Sequence, residues 1–170
     1  MNCMSNTNRN KGHFAERYYV NKFREIGYEF CFTARYASRM HDDAKVDLVN
    51  LPFNVQIKAG KQKAMIPATV LNDMHKALKN FFPKKDEIHS KPKILIHYKQ
   101  GTSGRKRLPE DELVYMSLKQ FKKFKKVNKQ IEYIKLRTKE TKVYAEYKSV
   151  VCMTFTDFVE KIAKKLINED

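Results

Sequence analysis

Apolar residues punctuate this chain in patterns that name most of its elements. From Phe14 to Ile26, the positions Ala15, Tyr18, Tyr19, Phe23 and Ile26 recur at helical spacing, and Gly27 follows where a C-terminal cap belongs. Residues 1–12 are Asn-rich, carry Arg9 and Lys11 and have no periodicity, which predicts a flexible basic arm. Tyr28 to Ala34 alternates, with Tyr28, Phe30 and Phe32 on one face, and predicts a strand. Residues 35–45 read as a polar loop, Val46 to Asn50 as a short strand, Leu51 to Asn54 as a turn and Val55 to Ala59 as the returning strand. Pro67 opens a helix whose stripe is Val70, Leu71, Met74, Ala77, Leu78 and Phe81, and Pro83 ends it. Lys93 to Tyr98 is nearly all apolar and predicts a strand covered on both faces.

Beyond a glycine- and charge-rich loop at 101–111, Leu113 to Met116 predicts a strand. It leads into a helix capped by Ser117, with Gln120 three residues on and lysines along its outer face from Lys119 to Lys129. A hairpin at 131–137 and 142–148 follows, then a strand at Val150 to Met153 and a helix at about Thr156 to Ile167. The octapeptides VYMSLKQF and VCMTFTDF resemble one another, which two strand-to-helix junctions with the same cap chemistry explain without a true repeat. The element order predicts an α/β fold around one mixed sheet flanked by helices, as a single domain over 13–170. Its core would cover about 13–127, with a C-terminal β/α extension over about 128–170.

Composition narrows the function. The 35 Lys and Arg residues against 19 Asp and Glu give a net charge of +16. A surplus of that size fits nucleic acid, the commonest large intracellular anion, although a merely hydrated surface has the same composition. The three cysteines have no metal-ligand spacing and suit a reducing compartment. The polar start lacks the apolar stretch of a signal peptide, and no apolar run approaches a membrane span. The expectation is an intracellular, cytoplasmic protein. Of the histidines, His75 and His97 are expected in or near the core, and His13 and His41 facing solvent.

The chemistry concentrates in AKVDLVNLPFNVQIKAGKQK, from Ala44 to Lys63. A turn at Leu51 to Asn54 would pair Asn50 with Val55, Val49 with Gln56 and Asp47 with Lys58. Asp47, Gln56 and Lys58 would then share one face, while Val46, Leu48, Val55 and Ile57 mostly take the other. A carboxylate and an amide oxygen suit a hard divalent cation, and a neighbouring lysine suits a developing negative charge. Taken singly, Asp47 with Lys58 reads better as a surface ion pair, and Glu16 with Arg17 as ordinary helix-surface charge; only their ordered combination favours a nuclease.

In order, these residues resemble a known family. An aspartate followed by (E/Q)-x-K on a hairpin, preceded by a helix bearing Glu16, looks like the PD-(D/E)XK nuclease superfamily. GHFAERYYVNKFREIGY, with Arg35 and Ser38 in the loop before the aspartate strand, resembles the archaeal-type Holliday junction resolvases, over about residues 12–127. The resemblance implies a restriction-endonuclease-like core and hydrolysis of phosphodiester bonds near four-way DNA junctions, in recombination or repair. It implies Mg2+, with Mn2+ as a substitute and no small-molecule cofactor, and a two-fold homodimer. Glu16, Asp47 and Gln56 would be metal or water ligands, with the Ile57 carbonyl as another, and Lys58 the catalytic lysine. Arg17, Arg35 and Ser38 would meet the DNA backbone near the cut, with Lys11, Arg39, Lys61 and Lys63 as further DNA-binding candidates. Gln56 departs from the usual glutamate and lowers the negative charge of the site. Two alternatives stay open: another nuclease of the superfamily, of restriction or repair type, and a non-catalytic DNA-binding protein that retains the fold.

Overall fold

A computed structural model describes residues 3–60, 65–99, 106–127 and 150–167. Helix α1 (Cys3–Glu25) is longer than its apolar stripe, so the segment read as an arm is helical from Cys3 onward. It ends at Gly27, whose φ of +116° lies in the left-handed region and whose N–H donates to the Arg24 carbonyl at 3.0 Å. A Cβ there would also sit 3.2 Å from Ile167 Cδ1, so glycine serves both the turn and the close approach of the C-terminal helix.

The expected strand at Tyr28–Ala34 shrinks to β1 (Phe32–Thr33), and the expected loop after it forms two short helices, α2 (Ala34–Ala37) and α3 (Arg39–Asp43). Tyr28 turns inward instead, giving its hydroxyl to the Ala163 carbonyl at 2.7 Å and packing on Phe23 and Phe53. Burial of that ring outweighs the alternation that predicted a strand. Then come β2 (Leu48–Val49), β3 (Asn54–Ala59), α4 (Pro67–Phe81), α5 (Asp86–Ser90) and β4 (Lys93–Tyr98). A 3₁₀ turn at Pro109–Asp111 leads into β5 (Glu112–Ser117) and α6 (Leu118–Val127). After β6 (Val150–Thr154), α7 (Phe155–Phe158), a π-type turn (Val159–Ala163) and α8 (Lys164–Ile167) complete the described chain. The expected hairpin at 131–148 lies outside the described residues, as do residues 101–105 of the 101–111 loop.

The sheet is six-stranded in the order β1-β2-β3-β4-β5-β6. Neighbours are antiparallel except β3 and β4, which run parallel because α4 carries the chain back across the sheet between them. β4 occupies an interior position and every one of its six residues is buried, as its apolar run predicts. One face packs Val55, Ile57, Ile94 and Ile96 against Ala15, Tyr19 and Phe23 of α1 and Phe158 and Ile162 near the C-terminus. The other packs Leu95, Tyr115 and Cys152 against Leu71, Met74 and Leu78 of α4. Each of the larger aliphatic and phenylalanine side chains removed from water contributes roughly 1.5–3 kcal/mol before entropy is counted. Phe81, expected in the α4 stripe, is 40% exposed, and Phe82 turns into the core in its place.

The two similar octapeptides are the β5–α6 and β6–α7 junctions. The Ser117 hydroxyl accepts from the Gln120 N–H at 3.2 Å, and the Thr154 hydroxyl from the Asp157 N–H at 3.1 Å. Their strands are antiparallel neighbours, with Val114 opposite Met153. No described helix is long and apolar enough to cross a membrane.

Candidate active site

The β2–β3 hairpin forms, with its register displaced from the simple turn. Val55 pairs with Leu48 rather than Asn50, while its carbonyl accepts from the Asp47 N–H at 2.8 Å. Two residues of the first arm thus face one of the second, which is a β-bulge. Core membership agrees: Leu48 joins the α1 side of the sheet and Val46 the α4 side, although residues two apart on a regular strand share a face. The expectation that Val46 would share a face with Leu48 is corrected accordingly. Lys45 and Asn50, on either side, hold φ of 63° and 61°. The left-handed region is costly for lysine and milder for asparagine, whose side-chain amide here donates to the Phe30 carbonyl at 2.9 Å.

The bulge re-aims Asp47. Its Oδ2 accepts from the Ile57 N–H at 2.6 Å, standing in for a strand carbonyl where β2 leaves β3. The cross-strand pairing of Asp47 with Lys58 is therefore replaced by this bond. The carboxyl feels Lys58, Arg35 and Glu16, but burial dominates and pushes its pKa up to about 7. Glu16 arrives from α1 and is 6% exposed. Burial raises its pKa too, against the opposing pull of Arg35, whose Nε lies 3.2 Å from Glu16 Oε2. The same Nε is 3.8 Å from Asp42 Oδ1, so Arg35 ties α1 to α3.

Gln56 is buried at 6% exposure, and its Oε1 is shut off from solvent without a hydrogen-bond partner. Gln56 and Lys58 alternate with the inward-facing Val55 and Ile57, so they share the opposite face of β3, as expected. Lys58 is half-buried. Asp47 thus lies within electrostatic reach of both Glu16 and Lys58 near the C-terminal end of β3, with Gln56 next in sequence to its anchor point at Ile57. Among the described residues, no group of three or more His, Cys, Asp or Glu is arranged to hold a metal ion; the place holds two carboxyls and an amide oxygen.

The peripheral candidates separate. Arg17 is exposed on α1. Ser38 is half-buried and its hydroxyl is 2.7 Å from His41 Nδ1. Arg39 is 93% exposed along its side chain, with its Nε 3.8 Å from Asp43. Lys11 lies on the first half of α1, and Lys61 and Lys63 fall outside the described residues.

Two histidines depart from expectation. His41 is half-buried against the Phe82 ring, centroids 4.7 Å apart, and burial lowers its pKa. His13, one turn before Glu16, is also half-buried, and its Nε2 is shut off from solvent without a partner. Its spacing of three from Glu16 was the available signal, because helical residues three apart are neighbours. His97 is buried as expected, its Nε2 3.0 Å from the Gly60 carbonyl, while His75 is only half-buried. No protein-family model, no curated protein and no solved structure matches the chain.

Proposed function

We propose that the chain is a metal-dependent DNA endonuclease with a PD-(D/E)XK-type site on a restriction-endonuclease-like core, cutting near four-way junctions. The observation that carries this reading is the unpartnered, buried Oε1 of Gln56, one residue before the Ile57 N–H that anchors Asp47, with Asp47 electrostatically coupled to the buried Glu16. Two carboxyls whose charge is disfavoured by burial and an oxygen lacking a donor are together what a hard cation would satisfy. Asp47, Glu16, the Gln56 amide and the Ile57 carbonyl would hold the ion. When bound, Mg2+ or Mn2+ would supply Lewis-acid polarisation of the phosphate and a lower pKa for an attacking water.

The remaining work falls to the chain. Asp47 is fixed by the Ile57 N–H, so one carboxylate oxygen is anchored and the other can face the reacting centre. Lys58 would supply an ammonium to orient the water and balance charge developing on the phosphate oxygens. Arg35 sets the Glu16 carboxylate, and the exposed Arg17 can meet a backbone phosphate. Symmetric incision of a junction calls for two such sites, hence a homodimer.

A second reading has its own observation. With glutamine in place of a third acid, the site holds less charge for a cation, which favours a DNA-binding protein that no longer cuts. Single-turnover cleavage in Mg2+ and Mn2+, with a four-way junction beside a linear duplex of the same sequence, separates these readings. Metal-dependent nicking of the junction well above the duplex is the expected result. Equal cutting of both would move the enzyme to a restriction or repair role. Tight junction binding without cleavage in either metal would favour the non-catalytic protein.

A further inference from the structure

On the α4 side of the sheet, away from the β2–β3 hairpin, α4, the α5–β4 turn and the start of α6 enclose a cavity of about 770 Å³. That volume lies within the range of small-ligand sites. Its lining is cationic: Lys76, Lys93, Lys119 and Lys123, with His75 and His89. Among the described residues Asp73 is the one acid in the lining, and its carboxylate lies 3.8 Å from Lys45. Lys93 is the unusual member. It is 9% exposed, and its ammonium donates to the backbone carbonyls of His89 at 2.9 Å and Lys91 at 3.4 Å. Among the described residues no carboxylate forms an ion pair with it.

Buried cations ordinarily have an anionic partner, because desolvating an ammonium is costly. Here the surroundings add cations instead, and burial together with Lys79 depresses the Lys93 pKa. His75 is pushed down likewise, by burial and by Lys93, Lys79 and His89. The first turn of α6 also opens onto this space through Ser117, Lys119 and Gln120, bringing the positive end of a helix to the same wall. The rest of the lining includes Ala68, Leu71 and Val150, apolar surface on which an uncharged ring can rest.

We infer that this cavity is a nucleoside-phosphate site, with the phosphoryl group on the Lys93, Lys119 and Lys123 wall and the nucleoside toward Leu71 and Val150. The phosphate supplies the missing counter-charge. The same chemistry is offered by a free mononucleotide and by a nucleotide unit of a DNA strand. The inference stands apart from the cleavage reading, since none of its residues belongs to the hairpin site.

The test is a titration of the full chain with thymidine 5′-monophosphate at fixed ionic strength, followed by calorimetry or amide chemical shifts. Wild type is expected to bind saturably at one site. Lys123→Glu and Lys93→Met should weaken binding tenfold or more, and Lys122→Glu, an equal charge change on an exposed residue outside the cavity, by less than twofold. Lys123 is exposed, so its variant carries the test even if Lys93→Met folds poorly. Absence of saturable binding at millimolar nucleotide, or equal loss in Lys122→Glu and Lys123→Glu, overturns the inference. Competition with a ten-residue oligothymidylate lacking terminal phosphates then names the source: displacement assigns a DNA strand, and an undisturbed signal a free nucleotide. Asp47→Ala protein should bind the nucleotide as wild type does, which keeps this result separate from any failure to cleave.

Discussion

Toward the edge of the sheet, Glu16 is a buried carboxyl and Asp47 a half-buried one; between α4 and α6, Lys93 is a buried ammonium. In both places burial disfavours the charged form, and in neither does the protein supply full compensation. Asp47 has one backbone N–H, Glu16 has a half-exposed arginine, and Lys93 has two carbonyls. The regions differ in sign and in construction. The acidic one is held by a bulge flanked by two left-handed residues, so its geometry is tightly specified. The basic one is a cavity bordered by lysines on two helices, whose long side chains can adapt. A fixed cluster of oxygens suits an ion with strict coordination, and an adaptable ring of ammonium groups suits an anion recognised by charge.

The largest expected effect breaks the comparison on the acidic side. Asp47→Ala should lower single-turnover junction cleavage by roughly three orders of magnitude. Junction affinity, measured in calcium, should change little, because it rests on the many basic residues elsewhere. Asp47→Asn retains an oxygen for the Ile57 N–H, so it should be equally inactive with the hairpin intact. Cleavage at the wild-type rate in both would remove the hairpin from the chemistry.

Stability against pH sharpens the same contrast, with opposite signs. In the fold, Asp47 keeps its proton up to about pH 7, against 3.8 for an ordinary aspartate. Between those values the folded state holds more protons than the unfolded, so metal-free stability falls as pH rises through that window. Asp47→Asn should remove the penalty, raising the metal-free Tm at pH 8 by roughly 2–8 °C, about 1–2 kcal/mol. The gain should vanish near pH 4, and added Mn2+ should stabilise wild type but not the variant. Lys93 runs the other way. Its folded pKa lies below the ordinary 10.5, so its penalty is full at neutral pH and fades as pH rises toward 10.5. Lys93→Met should flatten that alkaline limb and leave the acid one alone. Identical pH profiles for wild type and both variants would mean that neither charge is strained.

How much of this was legible in the sequence follows from the range of the interactions. Pro67, Gly27 and Ser117 act on their own turns, and each marks the boundary its residue type predicts, whereas the last helix, expected from about Thr156, is capped two residues earlier by Thr154. KILIHY reads as a doubly covered strand because Ile94, Leu95 and Ile96 put apolar side chains on both faces in succession, with Lys93 and His97 as its two polar exceptions. The hairpin was legible, but its register was not: the bulge at Asp47 depends on the carboxylate reaching Ile57, a tertiary bond with no local signature. Tyr28 misled because its destination is Ala163, 135 residues away. The first half of α1 is too polar to show a stripe. The cavity draws on α4, α5, β4, α6 and β6, and in sequence Lys119 and Lys123 read only as the outer face of one helix, with nothing local to join them to Lys93.

Gln56→Glu gives a smaller effect than loss of Asp47 and tests why glutamine stands there. A third acid adds charge for a cation, so half-maximal Mg2+ for cleavage should fall several-fold. Metal-free stability should fall too, since another carboxyl joins two that burial already disfavours. An unchanged metal requirement would make Gln56 a bystander and leave its lone Oε1 to some other partner.

The smallest effect concerns cations outside both regions. Arg17 and Arg35 were both read as phosphate contacts, yet their settings differ. Arg35 is engaged by Glu16 and Asp42, so its removal would disturb the site as well as the surface. Arg17 is exposed on α1, next to Glu16 in sequence but on the outer side, and no carboxylate among the described residues pairs with it. If it meets one phosphate, Arg17→Ala should weaken junction binding by a factor of roughly two to five. The slope of log affinity against log salt should become shallower by about 0.9. Arg35→Ala should give a similar slope change together with a lower cleavage rate, because the Glu16 carboxylate loses the guanidinium that orients it. A salt slope unmoved by Arg17→Ala would take the DNA path off this face of α1 and leave Glu16 to be reached from the hairpin side alone.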